Sequence, residues 1–208
     1  MMSNDDVYAA GLLTRALDPA TQPAEIQAFM RAELDLLHDW IKEGMRVLDV
    51  GCGTGRHLVL LRDRLRLGVG VDYERSYIAE ASRRAGARHL HFVTGDATAI
   101  PVIAGFDFAV CLTNTWGTMA DKAGVLREMR RLAPQLHTRL LSVFSENSVA
   151  ARREWYRRFG HAVVEETEGY LVTDGGLRSE HFSEARLRDL VGDCTIRPVS
   201  DIARAVTF

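Results

Sequence analysis

The spacing of apolar residues changes several times along the chain, and each change marks an element. Residues 7–17 read as a short helix, broken over 18–23 by Pro19 and Pro23. From 24 to 43, Ile26, Phe29, Met30, Leu34, Leu37, Trp40 and Ile41 recur at helical spacing, and Gly44 is placed to end that helix. Residues 45–50 then carry Val47, Leu48 and Val50 almost without interruption, the mark of a short buried strand. Helices are expected over 57–66, 76–85 (with Ser76 as its cap), 122–133 (stopped by Pro134) and 148–159. Strands are expected between them, over 67–72, 89–93, 105–112 and 138–145.

After residue 160 the pattern becomes hairpin-like. Extended segments are expected over 162–166, 170–173 and 177–182, with Asp174, Gly175 and Gly176 as a turn between the last two. Ser183 is placed to cap a helix over 184–191, and 195–208 reads as one final extended segment. Strands alternating with helices, closed by hairpins, predict an α/β fold: a Rossmann-like, doubly wound, mostly parallel sheet with an antiparallel last strand. One domain is expected over residues 1–208, with 1–44 a helical extension able to act as a lid and 45–208 the α/β core.

The junction between the first strand and its helix carries the chemistry. Gly51, Gly53 and Gly55 occupy alternate positions there, preceded by Asp49. Glycine lets a ligand approach the main chain, and the helix start beyond offers unpaired N–H groups to an anion. A dinucleotide fingerprint would need glycine at position 56, where the chain has Arg56. Asp72 ends the second strand about twenty residues on, where an acid can accept hydrogen bonds from ribose hydroxyls.

The run Leu48-Asp49-Val50-Gly51-Cys52-Gly53-Thr54-Gly55 resembles motif I of the class I S-adenosylmethionine-dependent methyltransferases. Gly70-Val71-Asp72-Tyr73 and Gly95-Asp96-Ala97 are similar to that family's ribose-binding and adenine-binding segments. The resemblance implies S-adenosyl-L-methionine as cofactor, with S-adenosyl-L-homocysteine as product. It implies Asp49, Gly51, Gly53, Gly55, Asp72, Tyr73, Asp96, Ala97 and Thr113 as the residues that hold it. The loop after the fourth strand, with Cys111, Leu112 and Asn114, resembles the glycine and sarcosine N-methyltransferases, which makes Asn114 the expected substrate contact. Transfer to nitrogen or oxygen of a small molecule is the activity implied. Non-methylating chemistry on the same cofactor, or a non-catalytic cofactor-binding module, are the alternatives.

An amine attacks unaided once deprotonated, whereas a hydroxyl wants a general base. His57, His161, His181 and Glu146 are the candidates, and Glu146, just after the fifth strand, ranks first. Arg152 and Arg153 have the chemistry to hold a substrate carboxylate, but their helical setting favours a solvated face. Trp116, Phe144, Trp155 and Tyr170 are candidates for an apolar pocket. His89 and His91 share a strand face without an evident third ligand, so no metal is expected.

Composition narrows the partners. With 26 Lys and Arg against 28 Asp and Glu the formal net charge is −2, which provides no electrostatic footprint for nucleic acid. The three cysteines, Cys52, Cys111 and Cys194, fit neither a disulfide framework nor a zinc signature. No signal-peptide pattern and no membrane-spanning apolar run is present, so a cytoplasmic protein with a small-molecule substrate is expected. A homodimer is compatible with this reading.

Overall fold

The computed structural model describes residues 19–103 and 105–208. The helix expected over 7–17, with Tyr8, lies outside the described residues. A 3₁₀ turn over Pro19–Thr21 leads into α1 (Ala24–Trp40), β1 (Met45–Val50), α2 (Arg56–Leu61), β2 (Leu65–Asp72), α3 (Arg75–Arg84), β3 (Leu90–Thr94) and β4 (Phe108–Cys111). There follow α4 (Thr115–Thr118), α5 (Lys122–Leu132), β5 (Arg139–Phe144), α6 (Val149–Arg158), β6 (Val163–Glu166), β7 (Tyr170–Thr173) and β8 (Arg178–Glu180). The chain closes with α7 (Glu184–Val191), β9 (Thr195–Ser200) and β10 (Ala203–Thr207).

Seven strands form the main sheet in the order β3-β2-β1-β4-β5-β10-β9. β1, β2, β3, β4 and β5 pair in parallel, and β10 runs antiparallel to both β5 and β9. The apolar runs are nearly continuous because both faces are covered. On one face Leu48, Val50, Ala109, Cys111, Leu141 and Val143 pack with Val125, Met129 and Leu132 of α5 and Leu187 of α7. On the other, Val47, Phe108, Val110 and Leu140 pack with Leu37 of α1 and Leu58 and Leu61 of α2. The strand order reverses at β1 and β4, so the carboxyl ends of these two strands open the crevice where ligands of such sheets bind.

Several elements differ from expectation. The helix expected over 57–66 ends at Leu61 and passes through a 3₁₀ turn, Arg62–Arg64, into β2. Leu65 fits both a helical and a strand spacing, and its pairing with Met45 draws it into the sheet. α3 is capped by Glu74, whose carboxylate accepts the Ser76 amide at 2.9 Å, in place of Ser76 itself. The final segment is two strands, folded back on each other after Ser200. β6, β7 and β8 form a separate antiparallel sheet. His89 is spent on the Arg62 carbonyl, 2.9 Å away, and no metal-binding cluster occurs among the described residues.

Candidate active site

Gly51, Gly53 and Gly55 all adopt the left-handed conformation, with φ of 71°, 53° and 74°, so the turn after β1 needs glycine at each position. At Gly55 a side chain would also strike the Phe92 ring, 2.6 Å from an added Cβ. Asp72 holds this turn from the end of β2. Its Oδ2 accepts the Gly53 amide at 2.8 Å and its Oδ1 the Glu74 amide at 3.0 Å. Burial pushes the Asp72 carboxyl up; those two amides pull it back only in part, and the charge of Asp49 adds to the rise. Tyr73 follows, 41% exposed.

Asp96 stands beyond the end of β3. Its Oδ1 accepts the Thr98 amide at 2.7 Å and hydroxyl at 2.8 Å, which orients the carboxylate on an exposed turn. Ala97 beside it packs against the core. The sheet order therefore brings the Asp49, Asp72 and Asp96 segments to one edge, on the neighbouring strands β1, β2 and β3.

Asp49 is buried, and its Oδ2 has no hydrogen-bond partner. The nearest cationic group is His57, whose Nδ1 lies 3.8 Å away. On the other side of that ring stands Glu33 of α1, a residue the sequence reading passed over. Glu33 is wholly buried, and five donors converge on it: Thr113 N at 2.6 Å, Thr113 Oγ1 at 2.7 Å, His57 Nε2 at 3.0 Å, Arg56 Nη2 at 3.3 Å, and the Ser142 hydroxyl. Burial alone would raise its carboxyl, but the bond and charge of His57, with Arg56 and Ser142, outweigh it and hold the group at about 2. Burial and the Arg56 charge push His57 down; the two carboxylates win, and it lies above the usual imidazole value. The signal was present: Glu33 falls on the apolar stripe of α1, between Met30 and Leu37, where a solvated acid does not belong.

Thr113 and Asn114 form the bend after β4, with φ of 50° and 60°. Left-handed angles at two consecutive non-glycine residues are strained, and the surroundings enforce them. Both hydrogen-bond donors of Thr113 go to Glu33. Asn114 is buried, and its amide is spent inside the protein. Nδ2 donates to Ser179 Oγ at 3.2 Å and to the Glu180 carbonyl at 3.0 Å, while Oδ1 accepts the Phe144 amide at 2.9 Å. The side chain expected to meet substrate is thus a clasp joining β4, β5 and β8.

Glu146 lies half-exposed on a short 3₁₀ turn after β5 and pairs with Arg204 at 2.7 Å. Burial is the largest single influence and raises its carboxyl, but its own amide and the bond and charge of Arg204 together outweigh it, and the group sits below the ordinary range. His161 bonds Asp174 at 3.0 Å from the turn before β6, and His181 is buried beside Arg152. Arg152 is wholly buried, contrary to the solvated face expected of it, and Phe144 and Trp155 pack in the same region. Trp116 is a core residue stacked on Phe182, and Tyr170 lies under Arg178 at 3.7 Å.

Comparison with known proteins places this arrangement. Residues 47–135 match the family described as methyltransferase domain. Among curated relatives, the dTDP-4-amino-2,3,4,6-tetradeoxy-D-glucose N,N-dimethyltransferase of Saccharopolyspora spinosa is 31% identical over 133 residues, covering 62% of this chain and 50% of that protein. The chain spans half the length or less of the curated relatives it matches. The solved PH0226 protein of Pyrococcus horikoshii OT3 superposes with a TM-score of 0.71 at 18% identity, covering 93% of this chain and 96% of that one. The DhpI complex with S-adenosylhomocysteine gives 0.67 at 17% identity, covering 96% and 93%. The fold is shared with solved S-adenosylmethionine-dependent methyltransferases, and residues 47–135 match a methyltransferase domain.

Proposed function

We propose that this chain is an S-adenosylmethionine-dependent methyltransferase acting on a small molecule, at nitrogen or oxygen. The observation that carries the reading is the buried Asp49 oxygen without a hydrogen-bond partner, beside a left-handed glycine turn and in line with two further acids, Asp72 and Asp96. That donor set suits a nucleoside bearing a cationic chain. Asp72 accepts from ribose hydroxyls, Asp96 and the Ala97 amide take the adenine edge, Tyr73 lies beside them, and Asp49 supplies negative charge. S-adenosylmethionine, when bound, supplies an electrophilic methyl group on a sulfonium. The protein's task is then to align the acceptor and exclude water.

In this reading Thr113 and Asn114 shape the acceptor side of the crevice, and Glu146 lines its rim. A carboxyl held below the ordinary range by Arg204 takes up a proton poorly, and both nitrogens of His181 are occupied by Arg152 and the Glu168 carbonyl. This favours an acceptor that reaches the site as a neutral amine. The support for a small-molecule acceptor is the sugar N,N-dimethyltransferase relative and the net charge of −2. No helix among the described residues is long and apolar enough to cross a membrane. Calorimetry with S-adenosylmethionine tests the first step: no binding at millimolar ligand would refute the reading. Mass spectrometry then tests the second, since methyl transfer adds one methyl group to the acceptor.

A further inference from the structure

Arg152 is a wholly buried guanidinium that makes no ion pair with any of the described residues. Its Nη2 donates to the Ser179 carbonyl at 2.5 Å, and its Nη1 stands 3.1 Å from His181 Nδ1 and 3.5 Å from Ser148 Oγ. Its Nε has no partner. The charge lies over the Phe144 ring at 5.0 Å and the Tyr156 ring at 5.9 Å. Aromatic faces and neutral acceptors offset only part of the cost of removing a permanent cation from water. His181 is a neutral acceptor for this cation: its Nε2 donates to the Glu168 carbonyl, 3.0 Å away, which leaves Nδ1 to accept from Arg152. Burial and the neighbouring guanidinium hold the imidazole below its usual value, in keeping with that role.

Two more donors without acceptors lie in the same region. Trp155 Nε1, one helical turn along α6, is buried and unpartnered, and its ring meets Phe144 edge-on at 6.0 Å. Ser145 Oγ, directly after Phe144, is also buried and unpartnered. Phe144 is joined through its amide to Asn114 in the loop after β4. An unpaired positive charge and three unused donors therefore surround the carboxyl end of β5, on the acceptor side of the crevice.

We propose that Arg152, with Trp155 and Ser145, is the receptor for a carboxylate carried by the methyl acceptor. A carboxylate brings the missing negative charge together with acceptor lone pairs for Nε and Nε1. The inference rests on the methyltransferase reading and deepens it by naming the substrate's anionic group. Ile26, Phe29 and Met30 of α1 share one apolar cluster with Phe144 and Trp155, so the entering group must displace part of this cover. Exclusion of water is also what strengthens the attraction between guanidinium and carboxylate.

The test is calorimetry on the full chain, with and without saturating S-adenosylhomocysteine, using acetate and benzoate against acetamide and benzamide, with inorganic phosphate as a third arm. Acetate or benzoate should bind and the amides should not. Arg152→Gln should weaken carboxylate binding at least about tenfold while leaving S-adenosylhomocysteine affinity within about twofold. Equal response to acids and amides, preference for phosphate, or an unchanged response in Arg152→Gln would each overturn the proposal. If Arg152→Gln fails to fold, Trp155→Phe keeps an aromatic ring against Phe144 and removes the Nε1 donor together with part of the indole's volume; carboxylate affinity equal to the parent would then be decisive against it. Wild-type protein that binds carboxylates but not S-adenosylhomocysteine would sink the donor reading, and with it the carboxylate's assignment to a methyl acceptor. Carboxylate binding lost in Arg152→Gln would still locate an anion site at Arg152, so the two failures are distinguishable.

Discussion

At the scale of single residues, the acids Asp72 and Glu33 do different work. Asp72 accepts from the Gly53 and Glu74 amides, so it orders the glycine turn, and in the proposed reading it also accepts from ribose. Asp72→Ala should therefore weaken S-adenosylmethionine binding at least about tenfold by calorimetry; unchanged affinity would refute its assignment. Glu33 acts through others. Glu33→Gln should cost roughly 3 kcal/mol in urea unfolding at neutral pH, because it leaves a buried cationic pair short of its counter-charge. The pH dependence has a definite sign on each limb. Glu33 sits at about 2 when folded against 4.5 unfolded, so its contribution is complete above about pH 4.5 and drains away as the pH falls toward 2. His57 lies above its unfolded 6.5, so its contribution is complete below that and is lost as the pH rises through the folded value. The stability maximum should lie between the two limbs. In Glu33→Gln the acid limb should flatten and the basic limb move to lower pH, followed by histidine NMR titration.

At the scale of elements, the clasp at Asn114 is the test of how the sheets are joined. Asn114→Ala would leave the buried Phe144 amide and the Glu180 carbonyl without partners and put alanine at φ 60°. About 2 kcal/mol of destabilisation is expected, read from a shifted urea midpoint; Asn114→Gly should lose less, since glycine accepts the angle. Which parts were legible in the sequence follows from what each part rests on. β1, β4 and β5 were readable because parallel strands covered on both faces leave an uninterrupted apolar run, and the glycine turn because its backbone angles exclude other residues. The break in 195–208 was not, since no glycine or proline stands at the Asp201 turn. The ends of α2 were ambiguous because Leu61 and Leu65 satisfy two periods at once. In the candidate site, the placement of Asp49, Asp72 and Asp96 at one sheet edge was legible from their positions at strand ends. The internal use of Asn114 and the burial of Arg152 were not, because both depend on where the β7–β8 hairpin docks against Asn114 and α6, a long-range contact that no local pattern identifies.

At the scale of the molecule, α1 ties the two halves together. Its Glu33 reaches the donor side through His57, Arg56 and Thr113, while Ile26, Phe29 and Met30 pack with Phe144, Trp155 and Leu171 of the small sheet. A ligand that orders the donor crevice should therefore stabilise the small sheet as well. Binding to the native state alone adds about 2.7 kcal/mol at a ligand concentration one hundred times Kd. With S-adenosylhomocysteine at that level, melting followed by far-ultraviolet circular dichroism and by tryptophan fluorescence should rise together. Leu171 of β7, wholly buried in the apolar cluster that also holds Ile26, Phe29 and Met30 of α1, gives the converse experiment. Leu171→Ala should cost roughly 3 kcal/mol through the cavity it leaves, and the melt should remain a single transition shared by both probes. A biphasic melt, with fluorescence changing before circular dichroism, would mean that β6, β7 and β8 unfold on their own, and that α1 does not couple the acceptor side to the donor side.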